Sequence, residues 1–337
     1  MLPMSIAFVF GTKPCEASDN LATFSFYFEN DLIANTDRHY TNGVKLSWIS
    51  HDLTGYAESG RLPDWSLPLI RRLPFINEPG LQRNVVLSIG QNIYTPGDIE
   101  AEELIEDDRP YAGWTYFGIG LHSKNDRHLD SMEIQLGMVG PASFAEQTQK
   151  WVHEWVGAQC PNGWDNQIKN EPGLAVIYER KWRFPYDGNV GKLGFDVIPH
   201  LGAALGNVYT YANTGMEARL GWNIPRDFGT SLIRPSGASN TPLNAQDPRS
   251  SSDQRFGLYL FAIVDGRAVL HNIFLDGNTF TDSHSVDKKH FVADIGTGVG
   301  LIIHRFKLCY THVLQTKEFE GQEDDQVFGS ITLSFTY

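Results

Sequence analysis

The 337-residue chain has no apolar run long enough to cross a bilayer as a helix. Its cleanest apolar stretches, residues 5–10 and 258–264, fall far short of the roughly 20 residues that such a helix requires. A membrane span would therefore have to be built from strands closed into a barrel, where every backbone N–H and C=O is paired away from water. Cysteine is scarce: Cys15, Cys160 and Cys309 sit at no metal-ligand spacing and are too few for a disulfide-built scaffold. Basic charge is short as well. With 27 Lys and Arg against 40 Asp and Glu, the formal net charge is −13. The cations are scattered, which leaves no basic face for nucleic acid. An anionic lipid would need local Arg and Lys, or a bridging divalent cation.

What is abundant points to sheet. The chain has 32 glycines and 12% aromatic residues, a composition that suits β-structure better than helix bundles. Residues 4–10 form a short apolar core, and Ala17 offers a small residue for cleavage, so 1–17 reads as the remnant of a signal peptide and 18–337 as the folded part. Beyond Ala17 the dominant signal is period-two alternation. It marks strands at 22–30, 40–50, 84–95, 111–124, 127–140, 171–184, 192–206, 209–224, 255–271, 290–304, 306–319 and 327–337. In the last of these, Ile331, Leu333, Phe335 and Tyr337 share one face while Thr332, Ser334 and Thr336 share the other. Lipid outside and a polar lumen inside produce that pattern. The expected fold is an all-β, closed antiparallel transmembrane barrel of about 12 strands.

One segment breaks the alternation. Gly140-Pro141 precedes a stretch in which Gln149 and His153 lie four apart, as do Trp151 and Trp155, and Gly157 offers a stop. A short helical insertion over 141–157, in an extracellular loop, follows from that spacing. Two long connections, 51–82 and 225–254, fall at the periplasmic end, where barrels keep turns short. They are expected either to hold small helices or to conceal an error in the strand count.

With the N-terminus on the periplasmic side, odd strands run outward. Counting then brings Asn30 and Asp31, Thr41, the 107–114 segment with Arg109 and Tyr111, and the helix with Gln149 and His153 to one outer rim. A positioned His can act as general base toward water. Asn and Asp can orient it or hold a hard cation through oxygen, and a cation or amide donors can stabilise an oxyanion. No G-x-S-x-G elbow is present. Blander readings stand beside these. Asn-Asp at a strand end forms turns, a helix His can be a surface residue, and 108–114 can be a turn in an interfacial aromatic belt. The acidic runs 100–108 and 318–325 read as solvated loops, and Gly296-x-Gly298-x-Gly300 as close packing inside a strand.

Taken in order, Phe28-Glu29-Asn30-Asp31, Tyr40-Thr41-x-Gly43, Gly90-Gln91-Asn92-Ile93-Tyr94-Thr95-Pro96, Asp108-Arg109-Pro110-Tyr111-Ala112-Gly113, Gly140-Pro141, Gln149-x-x-x-His153 and Trp164-Asp165-Asn166-Gln167-Ile168-x-Asn170 form a set. This set resembles the outer-membrane lipid A 3′-O-deacylase family (LpxR type), over residues 22–337. The resemblance implies a twelve-stranded barrel in the outer membrane of a Gram-negative bacterium. It also implies hydrolysis of the 3′-acyloxyacyl ester of lipid A in lipopolysaccharide, with a divalent cation, usually Ca²⁺, in the oxyanion site. His153 would be the base and Gln149 its neighbour on the helix. Asn30, Asp31 and Thr41 would line the site, with Asp31 as metal ligand. Arg109, through its bidentate chemistry, would position a phosphate, with Tyr111 beside it. The sequence departs from the family at two points. Gln159 is neutral where an acidic residue is expected, and 100–108 is acidic where lysines are expected. A monomer is the expected assembly. The competing functions are a phospholipase-like outer-membrane esterase and a non-enzymatic barrel, either pore or adhesin.

Overall fold

A computed structural model describes residues 21–31, 39–60, 62–73, 78–187, 192–230, 232–233, 241–250 and 255–337. The leader segment 1–17 lies outside the described residues. Thirteen strands form one antiparallel sheet: β1 (Thr23–Asn30), β2 (His39–Ile49), β3 (Gln82–Thr95), β4 (Ala112–Lys124), β5 (His128–Val139), β6 (Glu171–Trp182), β7 (Phe184–Asp187), β8 (Leu193–Gly206), β9 (Tyr209–Trp222), β10 (Phe256–Asn272), β11 (Phe291–Ile303), β12 (Phe306–Gln315) and β13 (Gln326–Thr336). Apart from β6 and β7, strands pair with their sequence neighbours; β1 also pairs β13, and β6 pairs β8 to close the barrel. β7 prolongs β6 beyond Arg183, whose side chain turns inward to Asp196 at 2.8 Å. The wall is thus made of twelve spans, in agreement with the alternation.

Burial follows the pleat. Along β10, Leu258, Leu260 and Val264 are exposed on the outside, while Tyr259, Phe261 and Ile263 are buried inside. A wall that is apolar outward is stable only against lipid. The lumen departs from the uniformly polar interior expected. Its periplasmic half is polar and ionic, with Lys45 and Glu133 paired at 3.3 Å and Arg219 held by Asp196 at 2.6 Å. Its outer half is an aromatic core in which Tyr94 stacks on Phe274 at 4.1 Å and lies 5.5 Å from Tyr40. Phe274 belongs to a single helical turn, Ile273–Asp276, that roofs this core.

The two long connections are resolved in different ways. The first carries 3-10 turns at Tyr56–Ser59 and Asp64–Ser66 and a short helix, α1 (Leu67–Ile70). Leu53, Tyr56 and Ile70 pack on Val85 and Leu121, so this segment forms a collar around the periplasmic end of β3 and β4. The described residues of the second, 225–230, 232–233 and 241–250, enter the barrel. Asp227 takes Arg219 at 2.6 Å, Lys307 at 2.7 Å and Arg249 at 2.9 Å, Phe228 and Leu243 pack on Leu129 and Ile198, and the Ile233 N–H donates to Glu29 at 2.8 Å. These pairs let a polar segment fill a narrow lumen, because each buried charge meets its opposite. The cavity left between this plug and the roof is about 40 Å³, lined by Asn92, Trp114, Tyr116 and Ile233 among others. That is room for a few water molecules at most.

Candidate active site at the outer rim

The register of β1 to β4 sets Asn30, Asn42, Ile93 and Gly113 in one cross-strand row. Each shares the parity of an exposed, lipid-facing residue lower on its own strand: Phe24, Leu46, Ile89 and Phe117. The row therefore lies on the outer wall. Polar Asn30 and Asn42 are nonetheless buried there, at 5% and 8% exposure. A bulge between Tyr40 and Asn42 inserts Thr41 into β2, a device that re-aims side chains near functional sites. The Thr41 hydroxyl meets the Thr95 hydroxyl at 2.7 Å, and its carbonyl accepts from Asn30 Nδ2 at 3.1 Å and from the Asp31 N–H at 3.4 Å. Asp31 is fully buried beside them. The structure thus brings Asn30, Asp31 and Thr41 together, as the sequence predicts.

The helical insertion is α2 (Ala145–Val156), preceded by a 3-10 turn at Pro141–Ser143 and ended by Gly157 at φ 72°. It packs on β3 and β4 at the other end of the row, where Ala145 joins Ile93, Tyr111 and Trp164 in one cluster. Gly113 is required there, because a Cβ would overlap Ser143 and Ala145. Below it, Gln91 and Thr115 both donate to the Ser143 carbonyl, at 2.8 and 2.7 Å. The buried stripe of α2 is Ala145, Gln149 and His153. His153 Nδ1 lies 2.6 Å from the Gln159 carbonyl. A carbonyl only accepts, so Nδ1 carries the proton and Nε2 the lone pair. The neutral Gln159 side chain is exposed, and this position acts on the histidine through its backbone. Gln149 Oε1 accepts from Trp164 Nε1 at 2.8 Å, while Gln149 Nε2 is buried with no hydrogen-bond partner.

Tyr111 lies beneath the helix. Its ring is 4.8 Å from Trp164 and its hydroxyl donates to the Ile99 carbonyl at 2.9 Å. Arg109 is not at the surface, where a phosphate contact was expected. It is 1% exposed, pairs with Glu318 at 3.0 Å and lies over the Tyr94 ring at 5.1 Å, and its Nε and Nη2 have no hydrogen-bond partner. The acidic 100–108 loop is tied down: the Glu100 and Glu102 carbonyls accept from Asn162 and Asn166. Across the rim, burial alone would raise the Asp276 carboxyl, but hydrogen bonds from His271 and Lys288 outweigh it and hold it at about 2. Sequence reasoning missed Asn42, Thr95 and the supporting parts played by Gly113, Trp164 and Asn170. All but Asn42 lie at matched positions of the quoted motifs, and Asn42 fills the unspecified place between Thr41 and Gly43. Asn170, for instance, accepts the Ala142 N–H at 2.6 Å and anchors the approach to α2.

Fold and site together define an integral outer-membrane β-barrel with buried polar groups on its outer wall and a rim helix packed on that wall. The chain belongs to the family described as outer membrane protein LpxR, which it matches over residues 2–337. Among solved structures it is similar to LpxR from Salmonella typhimurium, at 19% identity and TM-score 0.69, over 93% of this chain and 99% of that one. The β domain of the Bordetella autotransporter BrkA matches at 7% identity and TM-score 0.42, over 94% and 97% of the two chains. No curated protein sequence matches. The protein is accordingly placed in the outer membrane of a Gram-negative bacterium.

Proposed function

We propose that this protein is a lipid A deacylase that hydrolyses the 3′-acyloxyacyl ester in the outer leaflet. One observation carries the reading: polar groups are buried on the lipid side of the wall, beside a helix whose buried face presents Gln149 and a tautomer-locked His153. Burying such groups at the edge of an apolar belt is unfavourable unless they are hydrogen-bonded, as Asn30, Thr41, Gln149 and His153 are, and a hydrogen-bonded polar cluster in that place suits a polar reaction. A pore would need an open lumen, and among the described residues this lumen is packed.

In this reading His153 Nε2 accepts a proton from water as that water attacks the ester carbonyl. The Gln159 carbonyl holds the ring and stabilises the imidazolium that results. When the tetrahedral adduct collapses, the same nitrogen returns the proton to the departing alkoxide, so acid and base are one group. Gln149 Nε2 is a spare buried donor on the same helix face. The Asn30, Asp31 and Thr41 groups form an all-oxygen acceptor set with one carboxylate, which suits a hard cation such as Ca²⁺. Among the described residues no group of three His, Cys, Asp or Glu is placed for a metal. Asp31 would then be the charged ligand of a weak site, with Asn30 and Thr41 as neutral ones. A bound cation would supply positive charge for the developing oxyanion.

The test is mass spectrometry of lipid A from cells expressing the protein, with Ca²⁺ or with chelator, beside the His153→Ala variant. The wild type should remove the 3′-acyloxyacyl mass only when Ca²⁺ is present. The variant should fold and insert but react at least ~10²-fold more slowly. Unchanged lipid A from folded, inserted protein with Ca²⁺ present would overturn the assignment, and glycerophospholipids would become the next substrate to try.

A further inference from the structure

The amphipathicity of α2 is inverted. In a helix on a water-soluble surface the apolar stripe is buried and the polar stripe exposed. Here the buried stripe holds Gln149 and His153, whereas Trp151 and Trp155 are 66% and 78% exposed on roughly the opposite side. Phe144, which caps the helix in the left-handed region at φ 59°, adds a third exposed ring at 65%. A bulky residue is costly at such a φ. The only charges of α2 are Glu146, Lys150 and Glu154, and the first two neutralise each other in an ion pair at 2.6 Å.

The position of the helix says what covers this stripe. Ile89, Phe117, Leu136 and Leu174 form an exposed cross-strand row of the lipid-facing wall. Gln91 and Thr115, two residues further out on β3 and β4, hold the carbonyl of Ser143 at the foot of α2. The helix therefore starts only ~7–13 Å along the strands above the belt, within the depth of an interfacial layer. We propose that Trp151, Trp155 and Phe144 dock α2 into the outer leaflet at the boundary between headgroups and acyl chains, continuing the lipid-facing belt outward past Gln91 and Thr115. Tryptophan favours that boundary because its ring is apolar and its N–H needs a polar partner. This docking surface stands independently of the ester chemistry.

The test uses full-length protein reconstituted into phosphatidylcholine vesicles, with and without bromine near the top of the acyl chains. Subtracting the emission of the Trp151→Ser/Trp155→Ser double variant from that of the wild type isolates the two helix indoles from the chain's other tryptophans. Their emission should be blue-shifted, quenched at least about twofold by the brominated lipid and little affected by aqueous iodide. Emission that iodide quenches and bromine leaves unchanged would overturn the proposal. Heat-modifiable gel mobility reports barrel folding. If the serine variant fails to fold, Trp151→Phe/Trp155→Phe provides the same subtraction while keeping the face apolar. No turnover is needed, so failure here leaves the deacylase reading untouched, and failure of that reading leaves the docking untouched.

Discussion

His153 owes its usefulness to its neighbours. The Gln159 carbonyl fixes which nitrogen bears the proton, and the backbone turn after Gly157 brings that carbonyl round to the ring. One helical turn earlier, Trp164 holds Gln149 by its indole N–H while its ring rests on Tyr111. Trp164→Phe should keep most of that packing and delete the hydrogen bond. The barrel should fold and insert normally while lipid A turnover falls about tenfold, or ~1.4 kcal/mol of transition-state stabilisation. An unchanged rate in a lipid A mass assay would mean that Gln149 needs no positioning. Gly113 belongs to the same scale, since any side chain there would lift the foot of α2 from the wall.

Two inserted elements share the work that strands cannot do. The rim helix presents the candidate base on one face and aromatic rings on the other. The plug contributes support from beneath: its Ile233 N–H and the hydroxyls of Tyr40 and Ser330 converge on Glu29, whose chain neighbour Asn30 is buried on the outer wall. The plug itself is held by Asp227, in contact with Arg219, Arg249 and Lys307. Asp227→Ala would leave several buried cations undercompensated and should cost ~3–5 kcal/mol. A lowered urea midpoint for unfolding in detergent would register that loss. A midpoint within error of wild type would mean that the plug adds nothing to barrel stability.

At the scale of the molecule, the barrel behaves as a soluble protein turned inside out only at its surface. Outside it is apolar for lipid; inside it is packed, with paired charges toward the periplasm and stacked aromatics toward the rim. With only about 40 Å³ left open between plug and roof, the wild-type protein in a planar bilayer should pass no steady current. Stable single-channel currents would revive the pore. The packed lumen also leaves the outer wall as the only face, among the described residues, where a long acyl chain and the candidate base can meet.

The strands were legible in the sequence because alternation has a period of two and lipid rewards it on every span. Residues 331–337 and the twelve intervals read from it agree with the sheet. The helix around Gln149 and His153 was legible from four-residue spacing and its end from Gly157, but it starts at Ala145 and not at 141, where a 3-10 turn stands instead. The convergence of Asn30, Asp31, Thr41 and α2 on one rim followed from counting strands, since each span reverses direction. What only the tertiary structure decided rests on partners distant in the chain. Residues 225–254 carry no periodicity, and the place of Asp227 in the lumen depends on Arg219 and Lys307, which lie on strands β9 and β12. Arg109 was read as a surface cation because its partner Glu318 is more than 200 residues away. Which face of the wall bears the polar site residues was undecided as well. Parity along a strand distinguishes two faces, but only the register across β1 to β4 and the seat of α2 show that the polar one is buried on the lipid side.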